Sequence, residues 1–225
     1  MAAGDPASPN AASALASLCE LYWFPVYAFI RRTGASVDDA SDLTQAFFAR
    51  VLEKGTFAHA RQERGRFRSF LLASVRNFVA NERAAIRTMK RGGGQRILPL
   101  EIDDGERRYQ LEPVDGVTPE QVYERRWAET VLDAALARLA AKYSDPNRQR
   151  LFEALRPLLT SRDVSSEAAT AASLGMTDGA FRVAVHRLRK AFGSELHDVI
   201  RETVERDEDV DAELQHLLDV VSRTS

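Results

Sequence analysis

Long stretches free of helix breakers constrain this chain more than any other feature. Its 225 residues hold only 12 glycines and 8 prolines, against 33 alanines. Between the breakers, apolar residues return every three or four positions, as along one face of a helix. An all-α protein is therefore expected. With 44% hydrophobic and 28% charged residues, the chain suits one large core or two small ones; collagen, coiled-coil rods and wholesale disorder are excluded. No stretch approaches the roughly 18 uncharged apolar residues of a membrane span, and Met1 to Asn10 lacks a basic head followed by an apolar run. A cytoplasmic location without a membrane partner is expected. Cys19 is alone, and His59, His186, His197 and His216 are scattered without zinc-binding spacing. Neither a metal nor any other cofactor is expected.

Helical spacing runs through Leu15, Leu18, Leu21, Tyr22, Val26 and Phe29, with Pro25 expected to kink or divide that helix. Ser36-Val-Asp-Asp39 supplies a cap and first-turn acids for a second helix ending near Lys54. After a polar loop from Thr56 to Gly65, a long helix is expected from Phe67 to about Met89. From Gln95 the text turns to glycine, proline and acids, the composition of a linker. A helix from Pro119 to Tyr143, another from Arg148 to Leu159, a helix-turn-helix candidate and an acidic tail follow. These changes divide the chain into a first domain over 11–94, a flexible linker over 95–118, a second domain over 119–194 and an extension over 195–225.

The net charge of −2 hides a strong polarity. Ten Arg or Lys stand against two acids from Arg61 to Arg96, a net +8, whereas ten acids stand against three arginines from Glu195 to Ser225, a net −7. A polyanion-binding face and an acidic tail are implied. Between Phe57 and Arg91, Phe57, His59, Phe67, Phe70 and Phe78 interleave with Arg61, Arg64, Arg66, Arg68, Arg76, Arg83, Arg87, Lys90 and Arg91. Arginines neutralise phosphates while flat side chains stack on unpaired bases, so this mixture suits single-stranded DNA. Helical spacing gives Phe67, Phe70 and Phe78 a competing reading as core residues; the loop residues Phe57 and His59 have no such alternative.

Glu167 to Ala191 reads as a short alanine-rich helix, a turn at Gly175 and a second helix capped by Thr177. The second helix sets Phe181, Val185 and Leu188 on one face and Arg182, His186, Arg187, Arg189 and Lys190 on others. Thr177 and Gly179 stand at its N-terminus, where backbone amides meet phosphate.

Three segments also resemble, in order, those of the extracytoplasmic-function sigma factors of bacterial RNA polymerase. Asp39-Ala-Ser-Asp-Leu-Thr-Gln-Ala-Phe-Phe-Ala-Arg-Val-Leu52 is similar to the polymerase-binding helix of that family. Phe67-Arg-Ser-Phe-Leu-Leu-Ala-Ser-Val-Arg-Asn77 resembles its next helix, and Met176-Thr-Asp-Gly-Ala-Phe-Arg-Val-Ala-Val-His-Arg-Leu-Arg189 its final one. The resemblance implies two helical domains: region two, over 11–94, binds the polymerase clamp and melts and reads the minus-ten element, and region four, over 119–194, binds the flap and reads the minus-thirty-five element. Asp39, Asp42, Leu43, Gln45 and Phe48 fall on the clamp-binding helix; Asp39, Asp42 and Gln45, three apart, are expected on one flank, with Leu43, Phe47 and Val51 as the opposing apolar stripe. The loop near Gly55 to Gly65 falls where a flipped base is caught, and Arg68, Arg76 and Asn77, with Arg83 and Arg87 further along, fall on the melted strand. On the minus-thirty-five duplex fall Thr177, Gly179, Arg182, Val183, His186, Arg187, Arg189 and Lys190. Val183 and Ala184 stand where polar and basic residues are common, so weaker direct base readout is implied. Core polymerase and promoter DNA are the implied partners, with room for a regulator such as an anti-sigma factor.

A second class competes: a helix-turn-helix repressor or activator that is not a polymerase subunit. An enzyme is disfavoured, because no phosphate-cradling loop, metal constellation or nucleophile with a base is legible, and Gly92-Gly-Gly94 lacks the following Lys-Ser or Lys-Thr. The acidic tail carries Val210, Leu214, Leu217, Leu218 and Val221 as an apolar face. It either packs back on the second domain or lies over the basic surfaces as an electrostatic mimic of DNA.

Overall fold

Every regular element in the computed structural model is helical among the residues it describes, 9–53, 66–88, 102–110, 116–159, 164–204 and 206–223. They form α1 (Pro9–Arg32), α2 (Val37–Glu53), α3 (Phe67–Thr88), α4 (Ile102–Gln110), α5 (Pro119–Ala141), α6 (Pro146–Leu155), α7 (Val164–Ser173), α8 (Asp178–Thr203) and α9 (Val210–Ser222). No helix among these residues is long and apolar enough to cross a membrane.

Two units result. The first comprises Met1–Thr130 with Ile200–Ser225, and the second Val131–Val199. This division differs from the expected one: the first half of α5 and the extension from Ile200 onward belong with the N-terminal helices. Burial explains the difference. Val122, Tyr123 and Trp127 of α5 are wholly buried, as are Leu217 and Glu213 of α9 apart from about one per cent of their surface.

In the first unit every residue of α1 from Phe24 to Ile30 is buried, the pattern of a helix surrounded on all sides. Pro25 lies inside α1 and does not divide it. Phe47 of α2 meets Phe78 of α3 edge-on at 5.5 Å, and Tyr22 of α1 meets Phe67 of α3 at 5.0 Å. Helix α5 opens with a reciprocal cap: Thr118 N–H donates to Gln121 Oε1 at 2.9 Å, and Gln121 N–H to Thr118 Oγ1 at 3.2 Å.

The segment read as a flexible linker, 95–118, contains α4, and α4 is docked. A Cβ added to Gly105 would stand 2.9 Å from Cη2 of Trp23, so only glycine permits this approach to α1. The Asp-Asp-Gly text taken for a linker thus marks a close helix crossing. Arg31 of α1 donates from Nε and Nη2 to the two carboxylate oxygens of Glu106, each at 2.9 Å, and the Tyr27 hydroxyl donates to Oε2 at 2.7 Å. The Arg31 hydrogen bonds hold the Glu106 carboxyl below its ordinary range.

That fork should fix α4. Glu106→Gln should lower the opening free energy of α4 by about 1.5–3 kcal/mol, read as faster amide exchange over residues 102–110 alone. In the wild type the contribution is complete above the ordinary carboxylate value, roughly pH 4.3. It is lost as pH falls through the lower folded-state value, because protonation then breaks the fork. Exchange over α4 that ignores both changes would contradict the contact.

The second unit is built around Leu139, Phe152, Leu155, Leu158, Ala171, Phe181, Val185 and Leu188. Asp145 caps α6 by accepting from the amides of Asn147 at 3.0 Å and Arg148 at 3.2 Å, and Pro146 takes the first helical position. The apolar text from Leu151 to Leu159 is thereby spent on core, through Phe152, Leu155 and Leu158.

Candidate nucleic-acid interface

In the second unit the α7–α8 pair has the form that its text predicts. Gly175 adopts φ +63°, donates its N–H to Ala172 O at 3.1 Å, and lets Met176 N–H reach Ala171 O at 3.0 Å. This is a Schellman turn, which closes the end of α7 and redirects the chain into α8. Thr177 caps α8 by accepting from Ala180 N–H at 3.3 Å. Phe181, Val185 and Leu188 face the core, so Arg182, Val183, His186, Arg187 and Lys190 are left on an exposed arc of the same helix. Val183 is 49% exposed, a large apolar side chain held in solvent between basic ones. Thr177 and Gly179 are exposed at the start of that arc. Arg189 differs from its neighbours: its Nη2 donates to Leu158 O at 2.8 Å and its Nε to the same oxygen at 3.3 Å. That side chain braces α8 against the turn after α6.

In the first unit, α2 begins with a reciprocal Ser36–Asp39 cap. The Ser36 hydroxyl donates to Asp39 Oδ2 at 2.7 Å and accepts from Asp39 N–H at 3.1 Å. Asp39 and Asp42 are exposed and Leu43 is half-buried, but Gln45 and Phe48 are 4% and 1% exposed. The flank expected to hold Asp39, Asp42 and Gln45 does not stay on the surface. Steps of three fall short of a full turn, so by Gln45 the helix has rotated roughly 120° from Asp39, into the core. There the Gln45 side-chain amide donates to Ser41 Oγ at 3.3 Å. The exposed ridge is instead Asp38, Asp42, Ala46 and Arg50, with Asp39 beside it.

On α3, Arg76, Asn77 and Arg83 are exposed, and Arg83 donates to Thr33 O. Phe57, His59, Arg61, Arg64 and the Arg87 side chain lie outside the described residues. Arg68 is not on the surface. Its side chain is 5% exposed, pairs with Glu124 of α5, and donates from Nε to Glu213 Oε2 of α9 at 3.0 Å. Arg66 Nε reaches Glu213 Oε1 at 3.0 Å. The Arg68 guanidinium lies 4.9 Å above the Trp127 ring, and the His216 ring stands 5.7 Å from the same indole. His216 Nε2 is 2.8 Å from Glu124 Oε2.

Of this cluster, Glu124, Trp127, Glu213 and His216 were not singled out from the sequence. The opposed charge of the 61–96 and 195–225 segments pointed towards Glu213 and His216 only as parts of the acidic tail; Glu124 and Trp127 lie in neither segment. Leu218, placed on the apolar face of the tail, is 57% exposed, whereas Val210, Leu217 and Val220 are buried. Among the described residues no group of three or more His, Cys, Asp or Glu is placed to hold a metal ion.

No family model, curated protein or solved structure matches the chain.

Proposed function

We propose that this chain is a transcription initiation factor of the extracytoplasmic-function sigma type, which joins core RNA polymerase through its clamp and flap and directs it to particular promoters. The observation that supports DNA binding best is the α7–α8 pair. A rigid glycine turn presents Arg182, His186, Arg187 and Lys190 on the face opposite the core. Such a helix suits the major groove of a minus-thirty-five duplex, with its N-terminus at a phosphate. The polymerase half of the reading draws on the motif of α2, whose Asp39 and Asp42 are exposed. The melted minus-ten strand is assigned to the first unit, where Arg76 and Asn77 are exposed.

Arg182→Ala and Arg187→Ala should leave stability within about 0.5 kcal/mol, since both side chains are exposed. An arginine on guanine should discriminate by about 1–3 kcal/mol, and one on phosphate should weaken all sequences alike and lower the salt slope by about one. With Val183 and Ala184 between the basic residues, backbone and shape contacts carry a larger share. Fluorescence anisotropy of holoenzyme on promoter duplexes separates the two cases, and an affinity and salt slope unchanged in both variants would contradict the docking.

A second reading is a helix-turn-helix repressor or activator that works without being a polymerase subunit. The burial of Gln45, Phe48 and Arg68 favours it, because three side chains of the polymerase and strand motifs are then engaged in folding. Immobilised full-length chain exposed to a bacterial lysate distinguishes the readings. Retention of core polymerase subunits supports the first; their absence together with sequence-specific duplex binding supports the second.

A further inference from the structure

The acidic C-terminal helix places two unlike groups on one face of the first unit. Glu213 is a carboxylate 1% exposed, held by Arg66 and Arg68, each at 3.0 Å. One helical turn later, His216 lays a flat heteroaromatic ring 5.7 Å from the Trp127 indole, tilted by 45°. The Arg68 guanidinium also lies 4.9 Å from that indole. An anion on two arginines with a heteroaromatic ring tilted against an indole beside it matches the two groups that a nucleotide of a single strand offers, a phosphate and its base. A duplex, whose bases are paired and stacked inside, would not offer the ring. Apolar residues alone would have sufficed to seat α9, and Val210, Leu217 and Val220 supply them. The buried carboxylate is an addition that closes the basic surface.

We propose that α9 is an intramolecular stand-in for a nucleic-acid strand, and that single-stranded DNA binds the Arg66–Arg68–Trp127 face by displacing it. This rests on the polymerase-factor reading only for which strand is meant, the opened minus-ten segment. Glu124 stays with Arg68 when α9 leaves, so Arg66 carries most of the newly exposed charge. A closed state of this kind lowers the apparent affinity in proportion to the fraction of molecules that are open. The free chain is therefore a weak strand binder, and weakening the α9 contact strengthens it.

The test uses the full chain and a fluorescein-labelled oligodeoxythymidine twelve-mer, titrated between about 50 and 200 mM salt, where phosphate contacts are read from the slope. Glu213→Gln keeps the size and the apolar seat but removes the charge. It should bind about tenfold more tightly than wild type at the lower salt. Adding Arg66→Ala to Glu213→Gln should reduce the salt slope by about 0.7, one phosphate contact on a single strand. In the wild type, saturation with the oligonucleotide should speed amide exchange over residues 206–223. A Glu213→Gln chain with unchanged helix content and no tighter binding overturns the switch. So does wild-type exchange over 206–223 that ignores bound oligonucleotide, or an absence of binding by the wild type and the variant alike. Should Glu213→Gln fail to fold, the wild-type measurements decide alone, and no binding at the lower salt also counts against the switch. Polymerase capture is scored separately. Capture with an unmoved α9 rejects the switch and spares the polymerase reading; an α9 that opens on the oligonucleotide without capture does the reverse.

Discussion

Arg68→Ala should destabilise the first unit by about 3–5 kcal/mol, the cost of leaving a buried charge short of a partner. The charge in question is Glu213, 1% exposed and then left with Arg66 alone. The same substitution at Arg76, which is exposed on the same helix, should cost under about 0.5 kcal/mol. The contrast separates a buried network from a decorated surface, and urea denaturation followed by circular dichroism reads both. Replacing both partners with apolar residues of similar volume, Arg68→Met with Glu213→Leu, should recover most of the loss, since an ion pair and a well-packed apolar pair are often equivalent once the desolvation of both charges is counted. If Arg68→Ala proves as mild as Arg76→Ala, the cluster around Glu213 is not formed in solution.

Phe48→Ala carries the second large effect, about 3–5 kcal/mol, because removing a buried aromatic side chain leaves a cavity that its neighbours fill only in part. Phe48 is 1% exposed and meets Phe47 edge-on at 5.5 Å. Asp42→Ala, one turn and a half earlier and exposed, should change stability by less than about 0.5 kcal/mol. If α2 docks on the polymerase clamp, Asp42→Ala weakens capture of core enzyme while the melting curve stays in place, whereas Phe48→Ala loses capture and fold together. Gln45 belongs with Phe48 in this division, because its amide is buried against Ser41. Capture unchanged by Asp42→Ala, with the variant folded, would remove α2 from the interface.

These contrasts mark how far the sequence could be read. The helices were legible because their breakers and caps are local: Ser36, Gly175 and Thr177 each act within a few residues of where they stand. The exposed arc of α8 followed from periodicity, since Phe181, Val185 and Leu188 define the buried face and the basic residues take what remains. Burial set by distant partners was not legible. Arg68 lies 145 positions from Glu213, and nothing near it distinguishes an arginine that meets a strand from one that meets a carboxylate. Gln45 was misplaced by a pattern of threes that drifts around the helix. Helix α4 was hidden because Gly105 is as common in linkers as in close helix crossings, and only Trp23 opposite it decides which. Opposed charges on the 61–96 and 195–225 segments did indicate an attraction; which acid would be buried required the fold.

Transcription from purified parts tests the central proposal most directly. Core RNA polymerase with and without the full chain is supplied with fragmented bacterial DNA, and the 5′ ends of the transcripts are sequenced. The account predicts that adding the chain creates a small set of start sites that share an upstream duplex element, and that Arg182→Ala and Arg187→Ala deplete that set. Start sites indistinguishable from those of core enzyme alone, from a chain shown to be folded, would contradict it.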